Sequence, residues 1–268
     1  MFFALSSLWL AVLLFLIVTG AALGGLLVGR SLQKRHAAAR KSSGVKESSG
    51  VLQGALLGFM GLVLAFGLSL ALGRYESRRA DVVADANTIG TTYLRAQTLP
   101  EPIRSRSLVL LEKYTDAEIR FTHVVPGSAA AARTSADASA LQRPLWALAA
   151  RAVQDRPMAS APRLYVDSLN EMIDQQTVRA AGLGNRVPTE VLFLEVIGAA
   201  LAMFLLGLHV GVLGRSVMPL VLASGLVAAL LFVTFDLDRP TRGFIEVPDT
   251  PLTALRDSMA QSPAAPAP

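Results

Sequence analysis

The chain has 268 residues, 52% of them hydrophobic, and a mean hydropathy of +0.47, too apolar for an ordinary soluble domain. Its net charge of +5 comes from scattered arginines, with no basic run interleaved with aromatics, which argues against a nucleic-acid-binding module. It has no cysteine, so disulfide frameworks and thiolate metal sites are excluded.

Four apolar blocks lie at residues 2–29, 51–73, 191–214 and 216–235. Each is about 20 residues or longer, enough to cross a bilayer as a helix. The first block has no Lys or Arg before it and exceeds the h-region of a signal peptide, so it reads as a retained span. The linker at 30–50 holds six Lys/Arg against one Glu, and its Ser/Gly content predicts a flexible loop. Glycines recur at four-residue spacing: Gly20 and Gly24, Gly25 and Gly29, Gly54 and Gly58, Gly207 and Gly211. Such pairs let membrane helices approach closely, within one chain or between copies.

The second block, Val51 to Gly73, runs into charged sequence with no proline to break it. Tyr75, Val82, Ala86, Ile89 and Tyr93 share one helical face. One helix is therefore expected from Val51 to about Leu94, half in lipid and half in water. The LPEP at 99–102 ends it. A helix over 103–119 follows, then a small-residue loop over 125–144 and a short helix over 145–154. A helix over 163–181 closes on Gly182 and Gly184. Pro188 suits the first turn of the third span.

The expected fold class is all-α: a polytopic membrane protein with four transmembrane helices in two hairpins. Residues 1–73 form the first hairpin with its basic linker, 74–189 a helical soluble region, and 190–236 the second hairpin. The tail, 237–268, ends in QSPAAPAP, which is expected to be disordered.

Phe59, Leu62, Phe66 and Leu70 fall within one face of the second span and are pore-lining candidates. Such a face forms an apolar constriction that gates by dewetting, and it equally suits contact with lipid or a helix. Glu195 and His209 are ionisable groups inside the third span. For Glu195, snorkelling to the interface is the first expectation. Arg74, Tyr75, Glu76, Arg78 and Arg79 mark the water boundary, as an interfacial anchor or as a ring of cations. A polar network beneath the membrane is expected to join them to Asn87 and Arg95 and to Asn170, Glu171 and Asp174. Asp236, Asp238 and Arg239 complete it, because the second and fourth spans end on the same side. Asp236 and Asp238, two residues apart, do not share a helical face, so they suit a polar cap better than a hydrolase dyad. There is no HExxH, Gly-rich phosphate loop or nucleophile elbow. No catalytic residue, metal site or cofactor is expected, and the protein reads as a non-enzyme.

Three stretches carry a resemblance: LAFGLSLALGRYESRRADVVADANTIGTTYLRAQTLPEP, SLNEMIDQQTVRAAGLGNRVP and FDLDRPTRGFIEVPDTPLTALR. Together they resemble the signature blocks of the bacterial bestrophin-like membrane proteins. That resemblance implies a distant relation to the bestrophins, pentameric anion channels with two spans, a helical cytosolic region, two more spans and a cytosolic tail. Tyr75, Glu76, Arg78, Arg79 and Asn87 would occupy places comparable to polar residues after the bestrophin second span. Where bestrophins carry paired tryptophans, this chain has Ser77 and Arg78, and it lacks their acidic calcium clasp. Lys and Arg near the span ends number seven on each side, so charge does not orient the chain. The resemblance implies a bacterial inner membrane with the middle region and tail in the cytoplasm. It implies a homo-oligomeric ion channel in the lipid bilayer; the rival expectation is a non-conducting scaffold or signalling subunit whose middle region docks a partner of unknown identity.

Overall fold

The computed structural model describes residues 6–38, 44–214 and 216–264, with the side chains of 36–38 and 44–53 left aside. Eight helices are found there, and no strand: α1 (Ser7–Ala38), α2 (Gly44–Ala96), α3 (Ile103–Thr122), α4 (Ala129–Asp155), α5 (Ser160–Gly184), α6 (Thr189–Leu213), α7 (Met218–Leu237) and α8 (Thr250–Met259). The protein is all-α, and four stretches, in α1, α2, α6 and α7, are long and apolar enough to cross a membrane.

The chain divides into two compact units, 1–74 with 186–245 and 75–185 with 246–268. The expected tail is thereby shared out, its first nine residues to one unit and the rest to the other.

In the membrane unit, α1 packs chiefly on α6 and α7. Gly25 and Gly29 face Gly207 and Gly211. A Cβ at any of the four would overlap backbone of the opposite helix. The contacts advance together along both helices, so α1 and α6 run parallel. Leu10, Leu14, Val18, Leu192, Met203, Leu231 and Phe235 fill the interior. α6 ends on Gly214, whose φ of 65° gives the left-handed cap that only glycine takes at no steric cost. Pro219 opens α7, where its missing N–H has no intrahelical partner to lose.

In the second unit, α2 contributes its polar half and packs with α3, α4, α5 and α8 around Ile89, Leu111, Tyr114, Leu145, Tyr165, Leu169 and Leu252. α2 is continuous to Ala96. The loop expected over 125–144 is instead the first half of α4. Alanine has the highest helix propensity, and Ser128 caps the start by accepting a hydrogen bond from the Ala131 amide at 3.1 Å. Pro144 sits inside this helix on an exposed turn, where water can reach the Ala140 carbonyl that loses its donor. The basic linker is likewise helical over 30–38 and 44–50. Residues 39–43, Arg215 and 265–268, the second half of the QSPAAPAP end expected to be disordered, lie outside the described residues.

Candidate functional site

The four pore-lining candidates of α2 are exposed: Phe59 63%, Leu62 52%, Phe66 63% and Leu70 44%. They form an apolar stripe at helical spacing that no other described residue covers. The opposite side of α2 meets α6. Gly67 lies against the Glu195 carboxyl, and Met60 against Gly198. Glu195 is therefore fully buried on the bundle side of α6, and the snorkelling expectation is overturned. The cause is Gly67, which lacks the side chain that would exclude the carboxyl. His209 is half-buried farther along α6.

At the end of α7 the chain turns back on itself. The Asp236 carboxylate accepts hydrogen bonds from the amides of Phe244 and Ile245 at 2.8 and 2.9 Å, and Gly243 leaves room for it. Asp238 accepts from the Val187 amide at 3.0 Å, just before α6. Arg239 is buried in the same unit, and burial lowers its pKa against the opposing pull of Asp236. These residues are a polar cap that fixes the turn after α7 and the start of α6.

The remaining expected members of the network fall in the second unit, apart from Arg74, which is half-buried at the edge of the membrane unit. Arg78 is buried and donates to the Asn185 carbonyl at 2.8 Å and the Gly182 carbonyl at 3.5 Å. It thereby neutralises the carbonyl end of α5. Tyr75 packs on the apolar core. Glu76 and Arg79 form an exposed pair at 3.7 Å. Arg95 donates to the Leu164 carbonyl at 2.8 Å. Asn87 is exposed, because the buried face of α2 runs through Asp85, Ala86 and Ile89. Asn170, Glu171 and Asp174 are exposed on α5, with Asn170 donating to Asp174 at 3.4 Å.

The buried polar centre of this unit consists of residues that sequence reasoning passed over. Arg179 of α5 donates to Asp85 of α2 at 2.7 Å and to Glu118 of α3 at 2.6 Å, with all three at most 2% exposed. It also bonds the Glu118 carbonyl and the Thr122 hydroxyl, and its guanidinium lies 5.6 Å from the centre of the Phe121 ring. Gln176 donates to Glu118 at 3.1 Å and accepts from Gln142 of α4. Four helices are thus joined in one network around a guanidinium that faces two carboxyls. Burial foremost, and then the neighbouring Asp85, push Glu118 up against the opposing pull of Arg179. A signal was present in the sequence. Asp85, Glu118 and Arg179 occupy core positions of amphipathic helices, three or four residues from Val82 and Ile89, from Tyr114 and Phe121, and from Gln176 and Leu183.

α8 is clamped onto α3 by Arg256, which donates to Asp116 at 2.8 Å, and by His123 against Asp249 at 3.0 Å. Among the described residues no cluster of three His, Cys, Asp or Glu suits a metal ion.

A family model described as Bestrophin-like domain matches residues 16–252. No similarity to a curated protein or to a solved structure was found.

Proposed function

This chain belongs to the bestrophin-like family, and from that premise we propose that it is an oligomeric ion channel of the bacterial inner membrane, with α2 lining the pore. The observation that carries this reading is the apolar stripe of Phe59, Leu62, Phe66 and Leu70, which the other described residues leave uncovered. Around a symmetry axis, equivalent stripes from several copies make a narrow apolar ring that conducts when wet and closes when dry. The middle region and tail face the cytoplasm in this reading, anions are the permeant class, and the role is not enzymatic.

A second reading has its own observation. A groove of about 870 Å³ runs between α3 and α4 of the second unit, floored by Val109, Leu110, Ala147 and Leu148, with Arg106 and Arg151 beside it. It supports a non-conducting scaffold whose helical region docks a partner.

The two are separated by native mass spectrometry of the purified protein and by flux assays in liposomes with chloride and potassium. The channel reading expects a closed oligomer and chloride flux that changes with Phe66→Ala. A monomer without flux for either ion rejects it and leaves the scaffold.

A further inference from the structure

Within the membrane unit one ionisable group is sealed away from water with nothing to pair it. The Glu195 side chain is fully buried, and neither carboxyl oxygen has a hydrogen-bond partner among the described residues. It is aimed at Gly67, where a Cβ would overlap the carboxyl. The missing side chain at position 67 is what gives the group its space.

The elements around it offer no counter-charge. No ionisable residue occurs from Ser7 to Gly29 of α1, from Gly54 to Gly73 of α2, or from Met218 to Phe235 of α7. On α6 itself, Glu190 lies five residues earlier and His209 14 residues later, about 21 Å along the helix. Arg74 lies seven residues past Gly67. Arg186, Asp236, Asp238 and Arg239 lie toward the start of α6, where Asp238 is engaged by Val187.

An unpaired carboxylate in hydrocarbon is costly and needs a positive partner. A metal ion needs about six oxygens. Glu195 brings two, and no acidic or His cluster lies near enough to add more among the described residues. A proton needs only one oxygen.

We propose that Glu195 is a proton-binding site of the membrane unit, occupied while α2 packs against α6 and vacated only when water reaches the carboxyl at that contact. On release the O–H bond breaks, its electron pair stays on the carboxylate, and water takes the proton. Gly67 is the gatekeeper of this exchange, since it sets how closely α2 covers the acid. The site stands whether or not the protein conducts ions.

Carbodiimides provide the test. The acid form transfers its proton to a carbodiimide nitrogen while a carboxyl oxygen adds to the central carbon. The acyl group then migrates to nitrogen and leaves a stable N-acylurea. The full chain in liposomes is treated with lipid-soluble dicyclohexylcarbodiimide or with a water-soluble carbodiimide over a series of pH values, and its peptides are weighed. The α6 peptide is expected to take up the lipid-soluble reagent, faster at lower pH, and to resist the water-soluble one. Glu195→Gln is expected to lose the adduct while keeping the elution profile of the native chain. Gly67→Ser, which crowds the carboxyl out of its seat, is expected to admit the water-soluble reagent. Equal labelling of the native chain by both reagents overturns the proposal, as does absence of the lipid-soluble adduct at every pH. Because these outcomes are read on the native chain, they hold even where a variant fails to fold.

Discussion

Arg179 shares one positive charge between two buried carboxyls, so one of them keeps a proton up to near neutral pH. Burial pushes both carboxyls up, Asp85 to about 6 and Glu118 to about 7. The Glu118 value lies above the ordinary 4.5, so the folded state binds the proton more tightly than the unfolded chain does. The stability this brings is fully present below about pH 4.5 and is lost as pH rises through about 7. Thermal melts in detergent should therefore show a Tm that falls between about pH 4.5 and pH 7, a loss on the order of 3 kcal/mol. Glu118→Gln, which keeps the shape and one acceptor, should flatten that slope. Arg179→Met leaves two buried carboxyls without their cation and should cost about 3–5 kcal/mol at neutral pH. Arg79→Ala breaks only an exposed pair and should cost well under about 1 kcal/mol. This centre was hard to read from sequence because apolar periodicity marks which face is buried and says nothing of which charges share it. Arg78 and Asp236 were legible as important, since both sit where a helix meets charged sequence. They bond backbone groups, of a distant segment for Arg78 and of the following turn for Asp236, and no side-chain pattern encodes those.

Helices with charge-free runs declared themselves: α1, α2, α6 and α7 follow from length and apolar content alone. α2 was also legible as one helix across Gly73 and Arg74, because nothing in its sequence breaks the helical hydrogen-bond ladder. The first half of α4 was not. Its small side chains hide the apolar periodicity, although Ala138 packs fully into the core. The glycine pairs divide in a way that spacing alone does not reveal. Gly25, Gly29, Gly207 and Gly211 are closed in by the opposing backbone, while Gly20, Gly54 and Gly58 meet nothing within 4 Å. Contact this close needs bare backbone on both helices. Gly25→Ala and Gly207→Ala should each cost about 1–3 kcal/mol or more through overpacking, read as lost thermal stability in detergent. Gly20→Ala and Gly58→Ala should be neutral or slightly stabilising, because they add helix propensity in open space.

The path of the chain through the membrane unit decides which helix ends lie together there. Ser7, at the start of α1, donates to the Arg242 carbonyl at 2.8 Å, so the chain enters α1 and leaves α7 at one end. α6 runs parallel to α1, and α2 runs antiparallel to α6. Within this unit the Gly73 end of the apolar half of α2 and the start of α6 therefore lie at that same end. A cysteine at Ser139, on exposed α4, should resist an impermeant thiol reagent in intact spheroplasts and react after lysis. Labelling before lysis would place the second unit outside the cell. The native chain contributes no background, having no cysteine.

Order of synthesis adds a constraint to this layout. The second unit is closed by α8, whose Leu252 is fully buried and whose Met259 carbonyl accepts from Tyr93 at 3.1 Å. These residues leave the ribosome after α6 and α7, so the unit begun at Tyr75 stays open at one side while the last hairpin is inserted. Translocation of that hairpin and completion of the core are thus consecutive events. A chain arrested or cleaved before Glu246 would carry all four spans and still present an uncovered apolar seam to chaperones and proteases.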